Sequence, residues 1–387
     1  MSEAFINPKI LTWARERIGM TQEKLAKKLG IKNSENIEKW EKGEKRPTFN
    51  QAQKIANILH IPFGYLYLED IPEEKLPIPD LRTLRDNQNH KLSSDLIDLI
   101  DDIKFKQDWY KDYLKEQGIE KLNFAGKYSI DTEYRVIAKD IVKTLHLTLE
   151  DRKKVSNWEE FLRLLIDKSE EAGIWVMRSG IVGSNTHRPL SVSEFRGLVV
   201  YDEIAPVVFI NGKDAKAAQI FTLIHELAHI WIGEGGISDL SLDIPRENIH
   251  NKIEKLCNRV AAEVLVPEKI LKQEWQGLPK IEDLSSFFRV SKVVIARRAY
   301  SLGMISWSEY TDFYQEQQAL WERLAKKQKE RSGGHPKYTI PLRYGNHFTN
   351  AILIATLNGQ VMLRDAGRFL GIAPSKLFNL AKEIGVA

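Results

Sequence analysis

The stretch "IFTLIHELAHIWIG" at residues 220–233 constrains this chain most, because it places three ionisable side chains inside an apolar run. The run predicts a helix that is packed in the core. Burying polar groups costs free energy unless partners or a metal compensate them. His225, Glu226 and His229 therefore need partners, which the rest of the sequence must provide.

The two histidines of this helix are separated by four positions, which places them about 40° apart around the helix axis and one turn apart along it. They face the same way and suit two imidazole ligands of one Zn²⁺ ion, whereas Glu226, rotated by about 100°, can reach a water molecule from the side. H-E-x-x-H thus predicts two metal ligands and a general base. The alternative interpretation is two core histidines beside a glutamate, but the three polar residues would then need unrelated partners.

A catalytic zinc ion needs a third protein ligand on a neighbouring element. The helix predicted after Pro245 carries Glu254, with Glu247 and His250 each within about 40° of it, so geometry alone leaves three choices. Glu263 lies near 180° from Glu254, too far round the helix for both to face the metal.

H-E-L-A-H at 225–229, followed 25 residues later by "EKLCNRVAAEVLVP", resembles the ImmA/IrrE family of zinc metallopeptidases. The resemblance covers roughly residues 130–310. It implies that Glu254 is the third ligand, that Asn258 orients a ligand histidine, and that Glu226 is the general base of peptide-bond hydrolysis. Cys257 and Val260 depart from the usual Ala and Phe at two packing positions.

The N-terminal segment "MTQEKLAKKLGIKNSENIEKWEKGEKRPTFNQAQKIANILHIP" resembles an XRE-type helix–turn–helix domain. Residues 1–68 hold 12 Lys/Arg against 7 Asp/Glu, a balance of +5, whereas the remainder balances at −1. This asymmetry predicts that any nucleic-acid contact lies at the N-terminus. The predicted core residues are Leu25, Ala26, Leu29, Ile37, Trp40, Ile55 and Ala56.

In such a domain the helix around 34–41 enters the major groove of DNA. Four carboxylates on or beside that helix, those of Glu35, Glu38, Glu41 and Glu44, argue against tight binding wherever they face phosphate. A protein-docking or dimerising role therefore stays open beside DNA binding. The candidate DNA contacts are Gln22, Asn33, Ser34, Asn36, Lys39, Lys42, Lys45 and Arg46.

The overall pattern predicts an α+β protein with a helical N-terminal bundle and a zincin-like domain, in which two metal-bearing helices lie beside a small sheet. Strands are predicted at "GIWVMRS", "FRGLVVYD" and "APVVFING", the last as an edge that pairs with extended substrate. "LRDAGRFLGIAPSKLFNLAKEIG" resembles helix–turn–helix in outline, but its mostly apolar faces and modest charge favour a small packing unit. The predicted domains are 1–68 (helix–turn–helix), 69–130 (linker and spacer helix), 131–330 (metallopeptidase) and 331–387 (small C-terminal unit).

One cysteine, no visible secretory signal and no run of about 18 apolar residues predict a cytoplasmic protein without a membrane partner. The first functional hypothesis is a regulatory zinc endopeptidase that cleaves a repressor or antitoxin-like protein, with DNA as a second partner and a homodimer left open. The alternative is a DNA-binding regulator or antitoxin of a toxin–antitoxin pair, whose peptidase domain binds its partner without cleaving it. A pure binder has no need of Glu226, which favours the first hypothesis.

Overall fold

The computed structural model describes residues 2–73, 92–238, 249–325 and 336–386. The chain divides into two compact units, Met1–Pro77 with Asn89–Asp98, and Ile78–Gln88 with Leu99–Ala387. A helical first unit and a second unit with helices and a sheet confirm the predicted α+β class. Within the described ranges, no helix combines the length and apolarity needed to cross a bilayer. The domain boundaries at 68, 130 and 330 stay predictions.

The first unit is a bundle of short helices whose ends are set by local sequence. Thr21 and Thr48 each accept a hydrogen bond from a backbone N–H in the first turn of a helix, and Gly30 ends a helix at a left-handed φ of 73°. The predicted core is confirmed, with Leu29 partly buried and the other six residues buried. The helices are α1 (Pro8–Arg17), α2 (Gln22–Leu29), α3 (Glu35–Glu41) and α4 (Phe49–Leu59), followed by a 3-10 helix at Phe63–Tyr67.

Helix α5 (Ser94–Glu116) lies in the segment 69–130 that was predicted as a linker and spacer helix, but it packs more closely than a spacer would. The fully buried amide of Gln107 donates hydrogen bonds to the carbonyls of Val200 and Ala205, at 2.9 and 2.8 Å. These carbonyls lie at the end of one strand and just before the next. The C-terminal part of α5 is therefore a structural part of the second unit.

The sheet of the second unit has the strand order β1-β3-β2-β4. Strand β3 pairs with β1 in parallel and with β2 antiparallel, so it is central and cannot accept substrate at a free edge. The predicted edge pairing at "APVVFING" is wrong for this reason. Strand β4 escaped prediction because three residues are too few to show alternation. The strands are β1 (Trp175–Ser179), β2 (Gly197–Val200), β3 (Val207–Asn211) and β4 (Gly236–Ser238).

Helix α9 (Lys216–Ile232) carries the H-E-x-x-H motif and is buried at every residue from Thr222 to Ile232. Each large aliphatic side chain buried there contributes about 1.5–3 kcal/mol, which offsets the cost of including polar groups. The remaining helices here are α6 (Tyr134–Thr144), α7 (Leu149–Lys154), α8 (Trp158–Glu171), α10 (Ile249–Leu265), α11 (Glu268–Glu274), α12 (Ile281–Phe288), α13 (Lys292–Ser301) and α14 (Trp307–Ala325), with a 3-10 helix at Leu278–Lys280.

The C-terminal helices pack against strand β1. The Trp175 ring stacks on Phe348 with ring centroids 4.2 Å apart, and its indole N–H donates to the Tyr344 carbonyl. The buried Glu170 carboxylate accepts the backbone N–H of Asn346 at 3.1 Å, and burial raises the pKa of Glu170 to about 7. These helices are α15 (Pro336–Tyr344), α16 (Asn346–Leu357), α17 (Leu363–Leu370) and α18 (Leu377–Ile384), with a 3-10 helix at Pro374–Lys376.

Candidate functional site

Helices α9 and α10 bring His225, His229 and Glu254 to a single point. His225 Nε2 lies 3.1 Å from His229 Nε2 and 3.1 Å from Glu254 Oε2. His229 Nε2 lies 3.4 Å from Glu254 Oε1. All three residues are buried, and they form the group of three potential metal ligands found among the described residues.

The donor set of this cluster fits a metal ion. Tetrahedral ligands bound at about 2.0–2.1 Å are about 3.3–3.4 Å apart, close to the separations of these three atoms. Burial lowers the pKa of His225, which favours the neutral imidazole that a metal requires. Burial alone would raise the pKa of Glu254, but the two histidines outweigh it and lower that pKa to about 2. The ionised carboxylate of Glu254 and the neutral imidazole of His225 are the forms that bind a metal, and His229 Nε2 completes the set of three donor atoms.

Asn258 fixes the orientation of the first histidine. Its Oδ1 lies 3.1 Å from His225 Nδ1, so it accepts the Nδ1 proton and leaves Nε2 as the donor atom toward the cluster. Cys257 precedes Asn258 on α10 and is fully buried, and burial raises the pKa of its thiol. The Cys257 thiol is not part of the group of converging donor atoms, which consists of the two histidines and Glu254.

Two alternatives for the third ligand, Glu247 and the side chain of His250, lie outside the described residues. Glu263, which the helix geometry placed away from Glu254, forms an ion pair with Arg298 instead. The structure thus brings one of the predicted candidates, Glu254, to the two histidines.

Gly197 of strand β2 lies directly against Glu226, and it was not predicted as a site residue. A Cβ on Gly197 would overlap Glu226 Oε1 and come within 2.9 Å of Glu226 Cδ and 2.6 Å of Thr222 Cγ2. The missing side chain lets β2 approach the buried Glu226 carboxylate closely. The signal in the sequence was a glycine inside the strand-forming run "FRGLVVYD", since glycine in a strand often marks such a close approach.

Two arginines that local sequence could not single out hold the end of α10. Arg152 is buried and donates to the carbonyls of Val264 and Leu265, at 2.8 and 2.6 Å. Arg298 donates to the Val266 carbonyl at 3.2 Å. The last carbonyls of a helix have no partner within it, so these arginines anchor the helix that carries Glu254.

The predicted DNA contacts lie at the surface around α2 and α3, where almost all of them have partners within the protein. Ser34 precedes α3 and its side chain makes no capping hydrogen bond. The others pair as follows: Gln22 with Glu41, Asn33 and Lys39 with Glu35, Lys42 with Glu38, Lys45 with Asn36, and Arg46 with the Phe5 ring. These internal contacts do not test binding to DNA, so the assignment of these residues as DNA contacts stays a prediction.

Glu41 differs from the other carboxylates of the recognition helix because it faces the protein interior. Its side chain is 7% exposed and binds Arg15 through both carboxylate oxygens, at 2.6 and 3.2 Å, and Gln22 at 2.7 Å. Glu41 therefore does not face phosphate, and its charge weighs less against DNA binding than its place in the sequence suggested.

Replacing Glu41 by Ala should destabilise the first unit by about 1–3 kcal/mol, because it leaves the half-buried Arg15 guanidinium with exposed Glu16 as its remaining carboxylate partner. Hydrogen exchange of peptides from residues 2–73 of the full chain measures this loss. The matched control is Glu35→Ala, which removes an exposed partner of Lys39 and should leave the stability of the first unit almost unchanged. Equal effects of the two substitutions would contradict the buried role of Glu41.

Comparison with known families agrees with this architecture. Residues 169–300 match the model of the IrrE N-terminal-like domain, and residues 11–66 match a helix-turn-helix domain. These matches confirm the resemblance predicted from the sequence. Residues 344–383 match a domain of unknown function.

Two curated relatives match the N-terminal region. They are described as uncharacterized HTH-type transcriptional regulators, one from Sinorhizobium medicae and one from Rhizobium meliloti. Each is 41% identical over 58 residues, which cover 15% of this chain and 40% of the relative. The chain thus spans well under half the length of these relatives. No solved structure matches the chain.

Proposed function

We propose that this protein is a regulatory zinc-dependent endopeptidase joined to a DNA-binding helix–turn–helix domain, and that it cleaves a specific repressor or antitoxin-like protein. The observation that carries the proposal is the convergence of His225, His229 and Glu254 beside Glu226. Two imidazoles and a carboxylate are a ligand set typical of catalytic zinc. The match of residues 169–300 to the IrrE N-terminal-like domain supports the same class.

In this proposal His225, His229 and Glu254 hold the zinc ion, and Asn258 keeps the His225 ring in place. Zinc, when bound, supplies Lewis acidity that polarises a peptide carbonyl and acidifies water. Glu226 accepts the proton of the water molecule whose oxygen forms the new bond to the carbonyl carbon. It then donates that proton to the amide nitrogen as the C–N bond breaks, which releases an amine and a carboxylic acid that ionises in water.

The N-terminal domain supports a regulatory role for the proposed peptidase. Its match to a helix-turn-helix family and its similarity to proteins described as transcriptional regulators support DNA binding. The net charge of +5 over residues 1–68 supports the same partner. Residues Asn33, Ser34 and Asn36 are proposed to face base edges, and Lys39, Lys42, Lys45, Arg46 and Gln22 to face phosphate.

The second candidate function is a DNA-binding regulator or antitoxin whose peptidase-like domain binds a partner without cleaving it. The complete burial of Glu226 favours the peptidase over this second candidate. A buried carboxylate is costly to keep, and a pure binder gains nothing from it.

The test is to incubate the purified chain with the protein encoded by the neighbouring gene, and to follow the products by mass spectrometry. We expect cleavage at one or a few peptide bonds, which stops when a chelator removes the metal and resumes when zinc is restored. A stable complex with an uncut partner in the presence of zinc would favour the second candidate.

A further inference from the structure

Helices α17 and α18 repeat the apolar spacing of α2 and α3. The two series have the same intervals except across the turn, where the C-terminal series is one residue shorter. In the first unit the series is Leu25, Ala26, Leu29, Gly30, Ile31, Ile37 and Trp40. In the C-terminal helices it is Ala366, Gly367, Leu370, Gly371, Ile372, Leu377 and Leu380.

The backbone of the two turns is also equivalent. Gly30 and Gly371 both end the first helix in the left-handed region, with φ of 73° and 62°. The N–H groups of Gly30 and Ile31 both donate to the Ala26 carbonyl, with the Ile31 bond at 2.9 Å. The N–H groups of Gly371 and Ile372 donate to the Gly367 carbonyl in the same way, with the Ile372 bond at 3.0 Å.

The apolar residues of this C-terminal pair serve as its core. Ala366, Leu370, Leu377 and Leu380 are buried, in keeping with the helix–turn–helix pattern. A Cβ on Gly367 would come within 2.7 Å of the Ile372 carbonyl oxygen, so the tight turn requires glycine where α2 has the small Ala26. The apolar faces noted in the sequence are thus used within the pair and its neighbouring helices.

The opposite face of α18 is exposed and carries Lys382 and Glu383, with Lys376 exposed just before the helix. Residues 336–387 hold six Lys/Arg and two Asp/Glu, a balance of +4, which equals the net charge of the whole chain. At the start and along the surface of α18, Phe378 is 54% exposed, and several polar side chains are exposed beside it. They are Ser375, Lys376, Asn379 and Lys382.

We propose that α17 and α18 form a second DNA-binding helix–turn–helix, with α18 as the helix that enters the major groove of duplex DNA. Lys376 and Lys382 face phosphate, and Ser375 and Asn379 face base edges. Phe378 is placed to contact a thymine methyl group. The excess of positive charge over residues 336–387 favours an anionic partner, and the equivalence with α2 and α3 selects duplex DNA as that partner.

The test measures the affinity of the full chain for a fluorescein-labelled duplex of about 30 base pairs, across a salt series. The background carries Lys39→Glu and Lys45→Glu, which weaken the N-terminal site at a half-buried and an exposed lysine. In that background, Lys376→Glu with Lys382→Glu should reduce affinity by about tenfold or more and lower the salt slope by about 2. The matched control is Lys153→Glu with Lys154→Glu, two exposed lysines on α7, which should change affinity by less than about twofold.

Equal losses for the two pairs of substitutions, or no loss at 376 and 382, would overturn the proposal. A second measurement needs no variant. Added duplex should slow hydrogen exchange in peptides covering residues 372–384 of the unmodified chain, and slowing confined to residues 2–73 would overturn it as well. Neither readout involves metal or cleavage, so failure here leaves the proposed peptidase function standing.

Discussion

Glu226→Gln should abolish cleavage of the partner protein while leaving the bound metal in place. The amide cannot accept a proton from water, and loss of a general base typically costs about 10²–10⁴ in rate. Because the proposed metal donors are His225, His229 and Glu254, the metal content should not change. The measurement is the rate of partner cleavage together with the metal content of the same sample.

The matched control for this substitution is Glu234→Gln, which makes the same chemical change at an exposed residue just beyond α9. It should cleave the partner at the rate of the unmodified chain. Cleavage by the Glu226 variant at an unchanged rate would exclude Glu226 as the base, whereas loss of metal from it would assign Glu226 a role in holding the ion.

His229→Ala should remove the metal altogether. The purified chain should contain about one zinc ion per molecule, and the substitution leaves two donors of the three that a catalytic site requires.

Asn258→Ala should keep the site but weaken metal affinity by about 10–100-fold, because the His225 ring loses the partner that orients it. Metal analysis after dialysis against a chelator series measures both effects.

The control for the metal experiment is His187→Ala, an exposed histidine in the loop between β1 and β2. It should bind zinc as tightly as the unmodified chain. Full retention of zinc by the His229 variant would remove the proposed metal site, and equal losses from the His187 and His229 variants would indicate binding to exposed histidines.

Sequence spacing predicted the elements of the site because they lie on helices. The four-residue interval between His225 and His229 fixes their relative direction in any α-helix, whatever surrounds it. The position of Glu254 relative to them depends on how α10 packs against α9, so spacing left three candidates and the family resemblance selected one. The structure then placed that one within 3.1–3.4 Å of both histidines.

What the sequence could not provide were contacts between residues far apart in the chain. Arg152 meets the end of α10 across more than 100 residues, and Gln107 meets the sheet across more than 90. Nothing in the local pattern around either residue marks such a contact. The same limit explains why β3 was predicted as an edge, since strand order depends on pairing between segments rather than on the strand itself.

Because Gly197 and Glu226 are in contact, the residue at one of these positions limits which residue can occupy the other. A strand beside the acid at 226 and the threonine at 222 has room only for hydrogen at 197, so a side chain there requires smaller residues at both positions. The residue at 197 should therefore indicate whether a related chain keeps the acid at 226. A bulky residue at 197 would therefore indicate a related chain that lacks the acid at 226 and binds its partner without hydrolysing it.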